Sequence, residues 1–382
     1  MVLSNQDIVE LVAFRRKLHS MPELSRQEAE TAREVQVFIK ATHPDWTLTD
    51  LGGHGIAAVY EGREPGPTVM VRAELDGLPI QEISDAPHRS TTPGKGHLCG
   101  HDGHMAILAA LARELGRQRP QRGRAILMFQ PAEEDGSGAA AVVADPRFRQ
   151  VAPDFAFALH NVPGLPFGHV ALTEGPVNCA SRGMRIVLTG KTAHASMPET
   201  GLSPVNVVAD LMPRLTALGK GGPLEESFSM VTVTHARIGE PAFGVAPAHG
   251  EIWVTLRTLT DAGMEDLCAS ADQLVLSAAR EQGLGVEVSY DDIFHHCENA
   301  PEAVAHLRQA LEAEGVPYDR GDLPMRASED FGRFGQKAPA AMFFLGAGEK
   351  HPSLHNPDYD FPDDLIPIGT RVFMRTLRNL LG

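Results

Sequence analysis

Residues 97–104 of the chain read HLCGHDGH, a stretch that contains one thiol, three imidazoles and one carboxylate. A hydrophobic core does not need so many metal-binding side chains in one place. Two glycines within the stretch permit a tight turn, and the apolar run MAILAAL at 105–111 predicts a buried helix after it. The stretch therefore lies where a loop meets a helix. There, Cys99 and His101 offer ligands suited to zinc or a neighbouring transition metal.

Polar side chains also follow three predicted strands, at 68–72, 124–129 and 154–159. Strands that alternate with helices predict a mostly parallel α/β sheet, in which the carboxyl ends of the strands meet at one edge. One inert thiol beside helix-capping side chains is the simplest alternative, but several potential ligands at one edge favour a metal site. The side chains expected at that edge are Cys99, His101, Glu133, Glu134 and His160.

The length and composition of the chain limit its class. It has 382 residues and a formal net charge of −15, from 49 acidic and 34 basic residues. Its length predicts two domains, and its acidic balance disfavours binding to nucleic acid or to an anionic membrane. No apolar run is long enough to span a membrane, the N-terminus does not resemble a signal peptide, and the four cysteines are too scattered for a disulfide framework. We therefore expect a cytoplasmic protein.

The pattern of elements changes near residue 181 and changes back near residue 298. Between them, three strands and two helices are followed by a fourth strand, which is typical of a small α+β domain. The predicted fold is thus an α/β domain with a mostly parallel mixed sheet flanked by helices, at 1–181 and 298–382, and an inserted α+β domain at 182–297. Near the N-terminus, helical spacing predicts a helix at 5–19, and the pattern SRQE at 25–28 predicts a capping box for a second helix.

Motifs along nearly the whole chain resemble the M20 metallopeptidase family, in particular its amidohydrolase branch of aminoacylase-like, hippurate and indole-acetyl-amino-acid hydrolases. Several independent motifs in the same order make a chance match improbable. The motifs are RRKLH at 15–19, PELS at 22–25, RAELD at 72–76, CGHDGH at 99–104, FQPAEE at 129–134, LH at 159–160, GKTAHA at 190–195, SEDF at 328–331 and LHN at 354–356.

The resemblance implies a zinc-peptidase-like catalytic domain with a dinuclear metal site and a second domain that acts as a lid and forms a homodimer. It implies two divalent ions, Zn²⁺, Mn²⁺, Co²⁺ or Ni²⁺, held by Cys99, His101, Glu134, His160 and His355. Glu133 is then the general base. Asp76 and Asp102 are candidate carboxylates for orienting the ligand imidazoles. His194 is expected to reach the substrate carbonyl from the second domain, in many family members from the partner subunit, and Arg257 to bind a substrate carboxylate.

The function implied is metal-dependent hydrolysis of the amide bond of an N-acyl amino acid or a related small, linear amide, by a metal-activated water. A dipeptidase-like peptidase of the same family is the alternative. A cysteine hydrolase using Cys99 would leave the other ligands unexplained, and a catalytically silent binding protein would not need Glu133. Many relatives carry an Asn-Val-Ile-Pro segment in the second domain, where this chain has Gly244 in place of the amide. The sequence therefore defines the type of reaction more closely than it defines the substrate.

Overall fold

The structure is a computed structural model that describes residues 3–382. Within them, the helices are α1 (Asn5–His19), α2 (Ala29–Lys40), α3 (His101–Arg117), α4 (Gly138–Ala144), α5 (Val205–Thr216), α6 (Asp261–Gln282), α7 (Pro301–Glu314), α8 (Gly332–Gly335) and α9 (Leu365–Leu381). The strands are β1 (Trp46–Leu51), β2 (Gly55–Glu61), β3 (Glu64–Glu74), β4 (Arg122–Gln130), β5 (Phe155–Pro163), β6 (Val170–Ala171), β7 (Gly175–Asn178), β8 (Ala180–Thr189), β9 (Ala193–His194), β10 (Ser229–Ile238), β11 (Val245–Ala246), β12 (His249–Thr258), β13 (Gly285–Phe294), β14 (Cys297–Asn299), β15 (Tyr318–Asp319) and β16 (Ala340–Gly348).

The chain divides into two compact units. The first contains the chain up to Val177 together with Cys297–Leu323 and Asp330–Gly382, and the second contains Asn178–His296 and Pro324–Glu329. The catalytic, lid and dimerisation roles that the sequence assigns to its two domains stay predictions.

The first unit is built on an eight-stranded sheet with the order β1-β2-β4-β3-β5-β16-β6-β15. Parallel pairings join the four central strands β4, β3, β5 and β16, and antiparallel pairings add β2 and β1 at one end. Helices flank this mixed sheet, so the predicted fold class is confirmed.

Burial explains why the central strands read as continuous apolar runs. Every residue from Ala125 to Phe129 in β4 and from Ala156 to Leu159 in β5 is buried. Strands covered on both faces lose the alternation of apolar and polar residues. The helices α1, α3 and α9 pack against one another, and α3 is buried along most of its length. The run MAILAAL is therefore a core helix, as predicted.

The second unit is a four-stranded antiparallel sheet with the order β10-β12-β8-β13. The helices α5 and α6 share one apolar core with this sheet, which includes Leu211 of α5, Val275 of α6 and Ile252 of β12. Small additional pairings join β9 to β11. The order of helices and strands is the α+β pattern predicted for this part of the chain.

The start of α2 differs from the sequence-based expectation. The helix begins at Ala29, and its N-cap residue Glu28 makes no side-chain cap hydrogen bond. Ser25 instead donates to Asp76, and Glu28 accepts from the backbone N–H of Ala132. The predicted capping box is therefore wrong, because both side chains bind distant segments that lie close in the fold.

All four cysteines are buried and free, which agrees with the expectation that the chain has no disulfide framework. Cys99 and Cys297 lie in the first unit, and Cys179 and Cys268 lie in the second. No helix within residues 3–382 combines the length and the apolar character needed to cross a membrane.

Candidate metal centre

The central strands bring most of the predicted ligands to one edge of the large sheet. Asp76 lies two residues beyond β3, and Glu133 and Glu134 follow β4, which pairs with β3 in parallel. His355 lies in the loop between β16 and α9. Because β3, β4, β5 and β16 are parallel, the segments that follow them meet at the same edge.

His160 reaches this edge from within a strand. The sequence predicts that the strand ends at Leu159, but β5 continues to Pro163. Its pairing with β3 ends at Ala158, whereas its pairing with β16 continues past His160. His160 thus lies beyond the last residue of β5 that pairs with β3, so its side chain can take part in the site.

Glycines shape the turn that presents Cys99 and His101. Gly100 is the N-cap residue of α3 with φ 88°, in the left-handed region. A Cβ atom at this position would lie 2.2 Å from Nδ2 of Asn161, and one at Gly103 would lie 2.3 Å from the ring of Phe361. Larger residues would therefore push the turn away from the sheet edge.

The predicted ligand atoms converge in the first unit. Cys99 Sγ lies 3.4 Å from His160 Nε2. His101 Nε2 lies 3.8 Å from Glu134 Oε1, and His355 Nε2 lies 3.6 Å from Glu134 Oε2. Within residues 3–382, the predicted site residues form three groups of three whose ligand atoms all lie within 4.8 Å of one another, and each group shares a residue with another. The groups are Cys99, His101 and His160; Cys99, Glu134 and His355; and His101, Glu133 and Glu134.

The surroundings of His101 fit a metal ligand. Its Nδ1 lies 2.9 Å from the backbone oxygen of Asp76, so Nδ1 is the donor and Nε2 faces the site. That Nε2 atom is buried and makes no hydrogen bond, a rare condition for a buried polar atom. Burial opposes protonation, but the side chain of Asp76 and the charge of Glu74 outweigh it and raise the pKa of His101 to about 10. A cation bound among these carboxylates would replace that proton.

The surroundings of Cys99 also fit a metal ligand better than a nucleophile. Burial and the charge of Glu134 raise the pKa of the Cys99 thiol well above its usual value. A catalytic cysteine needs a lowered pKa, whereas a coordinating thiol is deprotonated by the metal itself. A soft thiolate with imidazoles and carboxylates is a donor set that suits zinc and its neighbours.

Comparison with known proteins shows the family of the chain. A model of the family described as Peptidase family M20/M25/M40 matches residues 70–379. The chain belongs to this peptidase family. It is 27% identical over 372 residues to the N-acetylcysteine deacetylase of Bacillus subtilis (strain 168), covering 95% of this chain and 94% of that protein. It is 29% identical over 371 residues to the IAA-amino acid hydrolase ILR1-like 5 of Arabidopsis thaliana, covering 94% and 84%.

A solved structure adds to these likenesses. The YXEP protein of Bacillus subtilis, described as a dinuclear metal binding peptidase from the M20 family, matches with a TM-score of 0.82 and 25% identity over 99% of both chains. The predicted resemblance to the M20 family and the predicted enzyme class, a hydrolase of amide bonds, are confirmed. This likeness and the ligand clusters support two divalent metal ions as the cofactor.

Two side chains of the M20 motif at 99–104 have other partners. His104 Nδ1 lies 2.7 Å from Glu74, and its Nε2 accepts from the backbone N–H of Asn161, so both ring nitrogens are engaged. Asp102 accepts hydrogen bonds from Arg15 and His19. The expectation that Asp102 orients a ligand imidazole is therefore wrong, since His19 is not among the predicted ligands.

Backbone strain marks two positions in this M20 site. Ala132 has φ 50° and His355 has φ 66°, in the left-handed region that residues other than glycine seldom adopt. Ala132 directly precedes Glu133 and Glu134. Such strain persists where the surrounding contacts hold it, and it is common at functional sites.

His194 and Arg257 lie in the second unit, whereas the predicted metal ligands, Glu133 and Asp76 all lie in the first. The His194 side chain is exposed, and its Nδ1 accepts from the backbone N–H of Ser196 at 3.2 Å. Arg257 is partly buried and donates to the backbone oxygen of Arg326 and to Ser328 Oγ, each at 2.7 Å. No carboxylate of residues 3–382 forms an ion pair with Arg257.

The sequence did not indicate the side chains that hold the acidic segments of the site. Ser25 binds Asp76, and Glu28 binds the backbone of Ala132. Arg26 forms an ion pair with Asp135. The motif PELS at 22–25 points to this region only through the family resemblance. Local spacing alone favours a helix cap there. The residues that Ser25 and Glu28 contact are distant in sequence, so local spacing does not reveal them.

Proposed function

We propose that the protein hydrolyses the amide bond of an N-acyl amino acid or a related small amide, with Glu133 as the general base. The convergence of thiol, imidazole and carboxylate groups around His101 is the observation that carries this proposal. We propose that two divalent metal ions are held there by Cys99, His101, Glu134, His160 and His355.

The metals and the side chains have separate tasks in this proposal. When bound, two divalent ions would lower the pKa of a water molecule and would polarise the carbonyl oxygen of the substrate. Glu133 is buried to 94% and its Oε2 lies 3.9 Å from His101 Nε2, so it stands beside the ligands. It takes a proton from the attacking water and passes it to the leaving amine. Asp76 fixes His101 through its backbone oxygen.

The donor set narrows the choice of metal. One thiolate and three imidazoles suit Zn²⁺, and Co²⁺, Ni²⁺ and Mn²⁺ follow in decreasing preference for soft ligands. We propose that the native pair comes from these four ions.

His194 is proposed to donate a hydrogen bond to the substrate carbonyl. The backbone N–H of Ser196 can only donate, so His194 Nδ1 is the acceptor and a neutral ring carries its proton on Nε2. The exposed Nε2–H is then a donor for the oxygen that becomes negative during attack.

The second unit is proposed to be a lid that also forms a homodimer. Its strand β10 is at one edge of the sheet, and Phe243, Val245 and Trp253 are exposed apolar side chains of the same unit. Unpaired edges and apolar side chains are features that a partner subunit covers.

Arg257 is proposed to bind the carboxylate of the substrate, because a guanidinium without an ion-pair partner matches a carboxylate in bidentate geometry. Arg257→Ala should raise KM for an N-acyl amino acid far more than KM for its carboxamide. Arg185→Ala, which removes a surface arginine paired with Glu251 in the same sheet, is the matched control and should change neither. Equal increases in KM for both substrates would reject this role.

A substrate panel tests the proposed function. Steady-state hydrolysis of N-acetyl, N-benzoyl and aryl-acetyl amino acids should be measured with each of the four metals, together with unblocked dipeptides. The proposal predicts that at least one N-acyl amino acid is turned over faster than the dipeptides. Turnover of dipeptides alone would instead support a dipeptidase of the same family.

A further inference from the structure

The segment Ser25–Glu28, here called the anchoring segment, contacts the candidate metal centre at two places. Ser25 Oγ donates to Asp76 Oδ2 at 2.7 Å. The same Asp76 oxygen accepts from the backbone N–H of Glu134 at 3.0 Å. Asp76 thereby joins the anchoring segment to the acidic segment that follows β4.

Glu28 makes the second and more buried contact. Its Oε1 accepts from the backbone N–H of Ala132 at 2.8 Å and from that of Arg26 at 2.9 Å. Ala132 has φ 50° and Arg26 has φ 66°, so both donors belong to residues in the left-handed region. One carboxylate oxygen therefore stabilises two unfavourable backbone conformations, and one of them directly precedes Glu133.

Arg26 extends the contact beyond the two glutamates. Its Nε lies 3.0 Å from Asp135 Oδ2 and 3.1 Å from Ser137 Oγ. The Arg26 side chain is largely exposed, so this ion pair contributes little by itself. Together with Glu28 it places contacts on both sides of the Glu133-Glu134 pair.

We propose that Glu28 is a positioning residue, which with Ser25 fixes the direction in which Glu133 and Glu134 point. This inference rests on the proposed function, in which Glu133 is the general base and Glu134 a metal ligand. Glu28 is not among the proposed metal ligands and acts through the backbone of Ala132. Without its oxygen, Ala132 would relax toward negative φ and turn the two glutamates that follow it.

The chemistry of Glu28 identifies a conservative replacement. The residue is fully buried, and its Oε2 atom has no hydrogen-bond partner. Burial and the charge of Asp76 raise the pKa of Glu28 to about 7. A neutral carboxamide has the same shape and keeps an oxygen that accepts from Ala132 and Arg26. Glu28→Gln should therefore preserve the position of the acidic segment, and Glu28→Ala should not.

The test compares these variants on the best N-acyl amino acid substrate and by titration of the metal-free protein with Zn²⁺. Glu28→Ala should lower kcat by roughly 10- to 100-fold, as expected for a displacement of the reacting groups, and should weaken Zn²⁺ binding. Its KM should change little. Glu28→Gln should stay close to the wild type in both measurements.

A second substitution separates positioning from a loss of stability. Adding Ala132→Gly to Glu28→Ala should restore part of kcat, because glycine adopts positive φ without the carboxylate. Asp7→Ala is the matched control, since Asp7 is a buried carboxylate of α1 held by Arg113 and Arg117. It should lower the melting temperature and leave kcat unchanged.

The inference is overturned if folded Glu28→Ala keeps the kcat and the Zn²⁺ affinity of the wild type, or if Ala132→Gly restores nothing. If Glu28→Ala does not fold, Ser25→Ala decides, because the partly exposed Ser25 hydroxyl can be removed with less damage. A several-fold loss of kcat supports the inference, and no loss contradicts it. If Glu133→Gln retains turnover, the proposed function fails; if Glu133→Gln is inactive but Glu28→Ala behaves like Asp7→Ala, only the positioning role fails.

Discussion

Glu133→Gln is expected to keep both metal ions and to lower kcat by about 10²–10⁴-fold, the range typical of losing a general acid–base group. The amide has the size of the carboxylate but cannot take a proton from water. Glu134, which is proposed to hold metal, is untouched by this change. Metal content should therefore stay at the wild-type value while turnover is lost.

Glu114→Gln is the matched control for this prediction. Glu114 is a mostly buried glutamate in α3 that pairs with Arg117, so its substitution also removes a buried carboxylate. It should retain turnover. A Glu133→Gln protein with full metal content and near-normal kcat would show that the proton acceptor lies elsewhere.

His194→Ala is expected to lower kcat by roughly 10²–10³-fold, the cost typical of removing one donor to a developing oxyanion. The exposed side chain packs against little, so the substitution should not change the melting temperature. His249→Ala, which removes another exposed imidazole of the second unit, is the control and should be fully active. Wild-type kcat in His194→Ala would exclude His194 from the reaction.

Mixing two inactive proteins tests whether His194 acts on the partner subunit. After subunit exchange between Glu133→Gln and His194→Ala, half of the dimers would be mixed, and each would contain one intact site if His194 acts in trans. About a quarter of wild-type activity per site should then return. Subunit exchange must first be demonstrated. If activity then does not recover, the trans arrangement is ruled out.

Much of the fold was predictable because local signals and tertiary packing agree. The apolar run after Gly103 predicts a helix that is indeed buried, and the strands before Asp76 and Glu133 were expected from their apolar runs. In a parallel sheet these strands end at one edge, so the sequence also predicted which polar residues would approach one another. Asp76 follows β3 and Glu134 follows β4, and the hydrogen bond between them agrees with that rule.

Other features depend on contacts that local spacing does not reveal. The pattern from Ser25 to Glu28 satisfies the rule for a helix cap, but Glu28 lies opposite Ala132, more than 100 residues away. The sequence predicts the end of β5 too early, because pairing with β16 extends the strand past His160. His355 and Arg257 were identified by family resemblance, since neither stands in a pattern that spacing alone makes informative.

Metal removal followed by stepwise reconstitution tests the central claim most directly. The metal-free protein should be titrated with a divalent ion while hydrolysis of the best N-acyl amino acid and the bound metal per chain are measured together. The account predicts no turnover without metal and a rise in turnover that is complete at two ions per chain. Turnover that survives complete metal removal, or that is complete at one ion per chain, would contradict it.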